Sequence, residues 1–324
     1  MGYDGLRAES GWIIGVVMKY RILGATKLRV SVIGLGTWQY GGEWGRDFSQ
    51  VDVTPLFRRA MELGVNLIDT AECYGDHLSE RLIGQAIKEL GARDQFLLAT
   101  KFGHHFVKPF ERTEPRSAAD VERQLEDSLR ALQTDVIDLY QYHSWGEGQF
   151  ASEDVRAVLE KAKAAGKIRH IGNSIGAGVK TTAQIEQSPA YHVEVVQVVY
   201  NRLQRPAEEL FFPAASRLKL GVLVRVPLAS GLLSGKYKVG ARFAENDVRT
   251  KWQQQGMDER LAEVERIREI EVPAGVPMAR WALAWCLRDF SVQCVIPGCK
   301  TVEQLEENAR AADMVDGRHP WAAK

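Results

Sequence analysis

Four side chains that can take part in proton transfer lie where predicted strands end. Asp69 ends the second predicted strand and Tyr74 follows it in a loop, while Lys101 ends the third strand and His143 follows the fourth. Ionisable groups at such positions are costly to bury unless they are paired or used in chemistry. Each of them alone could be a loop cap, loop filler or a solvated rim residue. Because neighbouring parallel strands open on one mouth, the four together predict a catalytic site.

These residue types can form an acid catalyst. A free tyrosine titrates near ~10 and is a poor proton donor at neutral pH. The ammonium of Lys101 should favour the phenolate and lower the pKa of Tyr74. Asp69 would keep this amine charged, and His143 could orient a carbonyl by donating a hydrogen bond. The set would protonate an oxyanion as a hydride arrives from elsewhere, and no metal is expected because no convincing ligand cluster is present.

A repeated unit positions these residues, in which a short apolar run is followed by an amphipathic helical pattern. The apolar runs cover 32–36, 66–69, 96–101, 136–142, 168–172, 193–199, 222–226 and 292–296. The helical patterns cover 54–63, 79–90, 118–132, 152–165, 179–187, 207–218, 259–270, 277–288 and 302–312. This α/β alternation predicts a (β/α)8 TIM barrel with extra helices and loops, because right-handed crossovers close such strands into a barrel.

Two further segments complete the predicted architecture. Residues 20–23 and 28–31 flank a short turn and predict an N-terminal β-hairpin at one end of the barrel. Residues 227–257 have no clear periodicity. We expect 18–324 to form a single domain and 1–17 to be an extension without an assigned function.

The composition excludes several classes of protein. The 42 basic and 42 acidic residues balance, so no net field points to nucleic acid or to an anionic membrane. The four cysteines form no CxxC pair, which disfavours a disulfide framework or a structural zinc site. Their small number in 324 residues favours a cytoplasmic location.

Four residues on these strands resemble the catalytic tetrad of the aldo-keto reductase superfamily: Asp69, Tyr74, Lys101 and His143. The chain is more similar to the bacterial members of this superfamily than to the vertebrate ones. The similarity runs from Tyr20 to about Ala312 and includes short motifs at 33–38, 69–71, 74–75, 100–101, 227–228, 231–236, 296–298 and 307–308. It implies a barrel that reduces aldehydes or ketones with NADPH, less often with NADH. In that resemblance Tyr74 is the proton donor, Lys101 and Asp69 tune it, and His143 orients the carbonyl.

The resemblance also implies a set of cofactor contacts. They are Gly36, Thr37, Trp38, Asp69, Ser174, Gln197, Arg225, Val226, Pro227, Leu228, Ser230, Gly231, Leu233, Gly235, Lys236, Pro297, Gly298, Lys300, Thr301, Gln304, Glu307 and Asn308. The loop after the seventh strand would lie along the pyrophosphate, and the last helix N-terminus can take a phosphate. From the residues alone, the glycine-rich loop could be an anion cradle or an ordinary flexible loop.

Three features depart from the family pattern. Ile175 stands where an asparagine usually grips the nicotinamide amide, although Ser174 and Gln197 keep their places. Asn173 could compensate, but adjacent strand residues point to opposite faces. Arg225 replaces a residue that is often aromatic, so its guanidinium could stack on the nicotinamide and disfavour the oxidised, cationic ring, or could point at an anionic substrate.

The third departure concerns cofactor choice. Gly298 and Gln304 stand where some members carry basic residues for the 2′-phosphate, and Lys300 could supply that charge instead. NADPH is therefore expected, with NADH as the alternative. Four loop aromatics predict a pocket for an apolar or aromatic carbonyl compound: Trp38, Trp44, Phe106 and Trp145.

Two other readings of the site are open. A regulatory protein of the same fold, similar to potassium-channel β subunits, would hold the cofactor as a sensor with little turnover. An unrelated barrel enzyme could be a metal-dependent hydrolase, or an aldolase that uses Lys101 as a Schiff base. The aldolase needs a desolvated neutral lysine, whereas Asp69 should keep this lysine charged.

Overall fold

The structure is a computed structural model that describes residues 16–146, 152–252 and 256–315, so the extension predicted over 1–17 lies outside the described residues except for Val16 and Val17. The strands are β1 (Tyr20–Ile22), β2 (Arg29–Ser31), β3 (Leu35–Gly36), β4 (Leu67–Asp69), β5 (Leu97–Phe102), β6 (His105–Lys108), β7 (Glu111–Thr113), β8 (Ile137–His143), β9 (Ile168–Ser174), β10 (Val193–Val199), β11 (Gly221–Arg225) and β12 (Cys294–Val295). The helices are α1 (Gln50–Glu62), α2 (Leu78–Leu90), α3 (Ala118–Leu132), α4 (Glu153–Ala164), α5 (Ala183–Gln187), α6 (Ala207–Leu210), α7 (Phe212–Arg217), α8 (Met257–Ile270), α9 (Met278–Leu287) and α10 (Val302–Ala309).

Eight parallel strands form one sheet in the order β3-β4-β5-β8-β9-β10-β11-β12. The sheet closes on itself because Ile33, just before β3, bridges to Val295 of β12, and Gly36 bridges to Gly298. The N–H of Gly34 donates to the carbonyl of Val295 at 2.8 Å. Buried helix residues pack on the outer face of the strands. The predicted (β/α)8 barrel is therefore confirmed.

Inside the barrel an apolar layer lies below a polar layer, because alternate residues of a strand face the same side. The apolar layer includes Leu67, Ala99, Leu139, Val195 and Leu223. Two residues further along the same strands stand Asp69, Lys101, Gln141, Gln197 and Arg225. The strand period thus carries polar side chains to the carboxyl end of the barrel interior.

The opposite end of the barrel is closed by the antiparallel pair β1 and β2. Leu23 and Val30 of this hairpin are fully buried in the apolar cluster of inward strand residues. Gly24 approaches the barrel wall so closely that a Cβ there would lie 2.2 Å from the backbone nitrogen of Gly221. The predicted hairpin is confirmed, and it plugs the barrel.

Among the helices that differ from the sequence pattern, α5 begins only at Ala183 instead of at residue 179, and two others differ for local reasons. α1 begins several residues before the predicted helix because Ser49 and Asp52 form a capping box, in which the Ser49 N–H donates to the Asp52 carboxylate at 3.0 Å. The pattern over 207–218 divides into α6 and α7, because Pro213 has no N–H and restricts the residue before it.

Two segments contain regular structure that the sequence did not predict. β6 and β7 form an antiparallel hairpin, with His105 opposite Thr113. The segment 227–257 contains short 3-10 helices at Ala229–Ser234 and Val248–Trp252. Nowhere in the described ranges does a helix have the length and apolar character needed to cross a membrane.

Candidate active site

A cavity of about 640 Å³ opens at the carboxyl ends of the barrel strands. Asp69, Tyr74 and His143 line its inner part, and residues of α10 and of the loop after β11 line its outer part. A larger groove of about 930 Å³ lies outside the barrel against α2 and α3, and its lining contains none of Asp69, Tyr74, Lys101 and His143. We therefore place the candidate active site in the smaller cavity.

Lys101 connects the acidic and phenolic groups of this site. Its buried Nζ donates to Oδ1 of Asp69 at 2.6 Å and to the Thr70 carbonyl at 2.7 Å, and it lies 3.5 Å from the Tyr74 hydroxyl. The Tyr74 and His143 rings are nearly perpendicular, with centroids 6.2 Å apart. The structure thus brings the four residues predicted as catalytic together: Asp69, Tyr74 and His143 line the cavity, and the buried Lys101 contacts Asp69 and Tyr74.

A network of amides satisfies the second oxygen of Asp69. Oδ2 accepts from Nε2 of Gln197 at 2.7 Å and from Nε2 of Gln141 at 3.3 Å. The Ser174 hydroxyl donates to Oε1 of Gln197 at 3.3 Å. A buried carboxylate needs such partners, so the two residues predicted to hold the nicotinamide amide, Ser174 and Gln197, here support Asp69.

The electrostatics of Tyr74 differ from the sequence-based expectation. Burial raises the pKa of Tyr74 well above its usual value, and the negative charge of Asp69 raises that pKa further. Lys101 forms an ion pair with Asp69, so the carboxylate offsets much of the effect of the ammonium charge on the phenol. The predicted lowering of the Tyr74 pKa is therefore wrong for this structure, and the phenol keeps its proton at neutral pH.

His143 is a neutral imidazole in this environment. Burial lowers its pKa well below the usual value, and the neighbouring His104, Lys101, Arg225 and Arg112 act in the same direction. Nδ1 of His143 lies 3.8 Å from Sγ of Cys73. A neutral imidazole carries a single N–H, so His143 can orient a carbonyl by one donated hydrogen bond.

Arg225 and Ile175, two of the departures from the family pattern, contact each other. Nη2 of Arg225 donates to the carbonyl of Ile175 at 2.9 Å, while the Ile175 side chain is buried in the outer core. Arg225 lines the cavity, and burial lowers its pKa. Asn173 points away from the cavity and donates to Gln184 of α5 at 2.8 Å, so it does not replace the missing asparagine.

The outer part of the cavity is a basic region at the start of α10. Lys236 and Lys300 both line it, and Nζ of Lys300 donates to the carbonyl of Trp44. Thr301 caps α10 by accepting from the N–H of Gln304 at 3.3 Å. A helix N-terminus beside two lysines is suited to binding a phosphate group.

Most residues predicted to contact the cofactor line this single cavity. They are Gly36, Thr37, Trp38, Asp69, Gln197, Arg225, Val226, Pro227, Leu228, Ser230, Gly231, Lys236, Pro297, Gly298, Lys300, Gln304, Glu307 and Asn308. Ser174, Leu233, Gly235 and Thr301 are not among the lining residues, and the side chains of Ser174 and Leu233 are fully buried. The carboxylate of Glu307 is already paired with Arg280, with oxygen–nitrogen distances of 2.8 and 2.9 Å.

The predicted substrate wall needs correction at two positions. Trp38 and Trp44 line the cavity, and the Trp38 ring stacks near Tyr74 with centroids 6.1 Å apart. Trp145 is only 1% exposed and packs against Phe102, so its prediction as a wall residue is wrong. Phe106 lies on β6 outside the cavity lining, and the guanidinium of Arg112 is 5.5 Å from the centroid of its ring. A loop aromatic cannot be assigned to core or mouth from sequence alone.

Several cavity residues were not predicted. They are Gln39, Cys73, His104, Arg112, Ser234, Tyr237, Arg249, Pro277, Ala279 and Ile296. Arg112 reaches the cavity only because of the unpredicted β6–β7 hairpin. Arg249 lies in the segment without periodicity, where it pairs with Asp247 at 2.6 Å and covers the ring of Phe243 at 4.0 Å. Cys73 could have been found, because it directly precedes Tyr74.

Comparison with known proteins supports the same family as the geometry. A family profile described as Aldo/keto reductase family matches residues 32–316. The chain is 34% identical to aldo-keto reductase YhdN of Bacillus subtilis (strain 168), over 89% of this chain and 87% of that protein.

Solved structures give the same result. Aldo-keto reductase AKR11C1 from Bacillus halodurans, in its holo form, superposes with a TM-score of 0.77 at 30% identity, covering 92% of this chain and 91% of that one. Glycerol dehydrogenase AKR11B4 from Gluconobacter oxydans superposes with a TM-score of 0.74 at 26% identity, covering 93% and 95%. The chain therefore belongs to the aldo/keto reductase family of NAD(P)H-dependent oxidoreductases.

Proposed function

We propose that this protein reduces a small aldehyde or ketone to an alcohol with NADPH in the cytoplasm, with Tyr74 as the proton donor. The main support is the contact of buried Lys101 with Asp69 and with the Tyr74 hydroxyl, at the inner part of a cavity that extends to α10. The aromatic rings of Trp38 and Trp44 favour an apolar or aromatic carbonyl compound as the substrate. No nucleic-acid partner is proposed.

The residues along the cavity fit a phosphorylated dinucleotide. Lys236, Lys300 and the N-terminus of α10 would hold its phosphate groups, because cations and unpaired backbone N–H groups attract anions. Gly298 keeps this wall open, since a Cβ there would lie 2.6 Å from Oε1 of Gln39. Asn308 would contact the adenine. Bound NADPH supplies the hydride.

The chain's own residues would supply the proton and the orientation. His143 donates its single N–H to the substrate carbonyl and holds it beside Tyr74. As negative charge develops on the substrate oxygen, the Tyr74 hydroxyl gives up its proton to that oxygen. An alkoxide is a stronger base than a phenolate, so the transfer proceeds although burial raises the pKa of Tyr74. The 3.5 Å contact with Lys101 stabilises the phenolate that remains.

The position of Lys101 disfavours the aldolase reading. Burial lowers the pKa of Lys101, but its Nζ donates to Asp69 and to the Thr70 carbonyl at under 3 Å, and the pairing with Asp69 favours the charged amine. Lys101 is also not among the residues that line the cavity. A Schiff base needs a neutral nitrogen with access to the substrate. The metal-dependent reading has no support either, since no three His, Cys, Asp or Glu residues of the described chain are grouped so that they could hold a metal ion.

The test is a fluorescence titration with NADPH and NADH, followed by addition of a panel of aliphatic and aromatic aldehydes. We expect NADPH to bind more tightly than NADH and to be oxidised only when aldehyde is added. Binding without turnover would instead favour the cofactor-sensor alternative. If neither cofactor binds, the proposed function is wrong. The contact between Arg225 and Ile175, at the positions expected to hold the nicotinamide, would then be the structural feature that excludes the cofactor.

A further inference from the structure

Cys73 lies at the end of a chain of buried hydrogen bonds that starts at Glu43. Glu43 is 1% exposed, and its carboxylate accepts from Nη1 of Arg112 at 2.9 Å and from the N–H of Phe110 at 2.5 Å. Trp38 donates its indole N–H to the other oxygen at 3.0 Å. Although burial opposes the charged form, these bonds hold the pKa of Glu43 below its usual value. Glu43 is therefore an anion that fixes Arg112.

Arg112 in turn contacts Cys73. Its Nη2 donates to the backbone carbonyl of Cys73 at 3.2 Å. Burial raises the pKa of Cys73 to about 11, so the thiol keeps its hydrogen at neutral pH. The hydrogen of the thiol is thus available for a hydrogen bond to a neighbouring acceptor.

That neighbour is His143. Sγ of Cys73 lies 3.8 Å from Nδ1 of His143, within the reach of a long hydrogen bond that involves sulfur. The imidazole is neutral and carries one N–H, on either Nδ1 or Nε2. If the thiol donates to Nδ1, the proton of the ring must be on Nε2.

We propose that Cys73 is a positioning residue that fixes His143 in the Nε2–H form by donating its S–H to Nδ1, supported by Arg112 and Glu43. Both His143 and Cys73 line the cavity, so the ring then presents an N–H to the substrate carbonyl. A chain of polarised bonds strengthens each member. The consequence for reduction of a carbonyl rests on the proposed function, whereas the tautomer itself does not.

The tautomer is measured directly by long-range ¹H–¹⁵N correlation spectra of the full chain labelled at histidine nitrogens, with the His143 signals assigned from their loss in His143→Gln. We expect the Nε2–H form in the wild type and in Cys73→Ser, whose hydroxyl can still donate. Cys73→Ala should show a mixture of both forms. Cys286→Ala removes an equally buried thiol from α9 and serves as the control, which should match the wild type.

Kinetics add a second readout. A neutral hydrogen bond contributes about 1 kcal/mol, so kcat/KM for a carbonyl substrate should fall about fivefold in Cys73→Ala, with the NADPH dissociation constant unchanged. Cys73→Ser should restore most of this loss. Equal losses in Cys73→Ser and Cys73→Ala would instead indicate a packing role and overturn the proposal.

The proposal is also overturned if the wild type shows the Nδ1–H form, or if Cys73→Ala leaves the tautomer unchanged. A wild type that binds no cofactor but shows the Nε2–H form, lost in Cys73→Ala, would contradict the proposed function and support this inference. The two failures are therefore distinguishable.

Discussion

At the scale of residues, most buried charges of the site are paired with an opposite charge or with hydrogen-bond partners. Asp69 is bound by Lys101, Gln197 and Gln141, so the carboxylate and the ammonium offset each other beside Tyr74. The phenol therefore stays protonated, as a proton donor must until the substrate oxygen becomes basic. The guanidinium of Arg225 donates to the Ile175 carbonyl and has no carboxylate partner among the described residues.

Lys300→Ala tests the basic outer part of the cavity at the same scale. A hydrogen bond to a charged group contributes about 1.5–3 kcal/mol, so we expect NADPH affinity to fall about tenfold or more and NADH affinity to change little. The measurement is a pair of fluorescence titrations with the two cofactors. In the structure Lys300 donates to the Trp44 carbonyl, and it would have to exchange that partner for the phosphate.

Lys238→Ala is the control, because Lys238 is an exposed lysine of the loop after β11 that does not line the cavity. Its two cofactor affinities should equal those of the wild type. If Lys300→Ala weakens NADPH and NADH equally, the 2′-phosphate is bound elsewhere, and Lys236 becomes the next candidate.

At the scale of elements, two loops hold the site in place. The loop after β3 and the loop after β11 are joined by a bridge between Trp44 and Asp247, and the N–H of Val248 donates to the Glu43 carbonyl at 2.9 Å. The loop after β3 also packs on the loop that carries Tyr74. Gly41 makes this contact, since a Cβ there would lie 2.6 Å from the carbonyl carbon of Tyr74.

Gly41→Ala should therefore displace the loop that carries Tyr74 without removing any polar group. A misplacement of about 1 Å can cost about 10²-fold in rate, so we expect kcat to fall by at least about tenfold and NADPH affinity to fall much less. Steady-state kinetics and a cofactor titration measure the two effects. Gly178→Ala is the control, because a Cβ at Gly178 meets no atom within 4 Å. Equal activity in the two variants would show that the contact does not position Tyr74.

At the scale of the whole molecule, a buried carboxyl makes stability depend on pH. Glu72 is 2% exposed; Oε1 contacts Nδ1 of His105 at 2.9 Å, and Oε2 has no hydrogen-bond partner in the part of the chain that is described. Burial raises the pKa of Glu72 to about 7. The unfolded chain releases this proton near pH ~4.3. Between these values the folded protein binds more protons, so its stability falls as pH rises.

Glu72→Gln should remove this dependence, because the amide is neutral at every pH. Relative to the wild type, the Tm of Glu72→Gln should rise by roughly 2–4 °C between about pH 4.5 and about pH 8. Thermal unfolding followed by circular dichroism gives both values. Glu269→Gln changes an exposed glutamate of α8 and should show no such trend. A constant difference between Glu72→Gln and wild type across this range would refute the assignment.

Sequence and structure agree best where a local period decides the outcome. Asp69, Lys101 and His143 could be predicted because strand ends in a parallel barrel share one mouth. Contacts made by irregular segments could not be predicted, because no period relates their residues. Arg112 reaches Cys73 through a hairpin with no strong strand signal, and Trp145 is buried although it follows a strand in a loop.

The central claim, that Tyr74 donates the proton in carbonyl reduction, is tested most directly by Tyr74→Phe. We expect kcat for an aldehyde to fall by about 10²–10⁴, with NADPH affinity within about twofold of the wild type. Tyr140→Phe is the control, because the buried Tyr140 hydroxyl has no hydrogen-bond partner among the described residues. Its activity should stay near that of the wild type. Aldehyde-dependent NADPH oxidation by Tyr74→Phe at the wild-type rate would contradict the account.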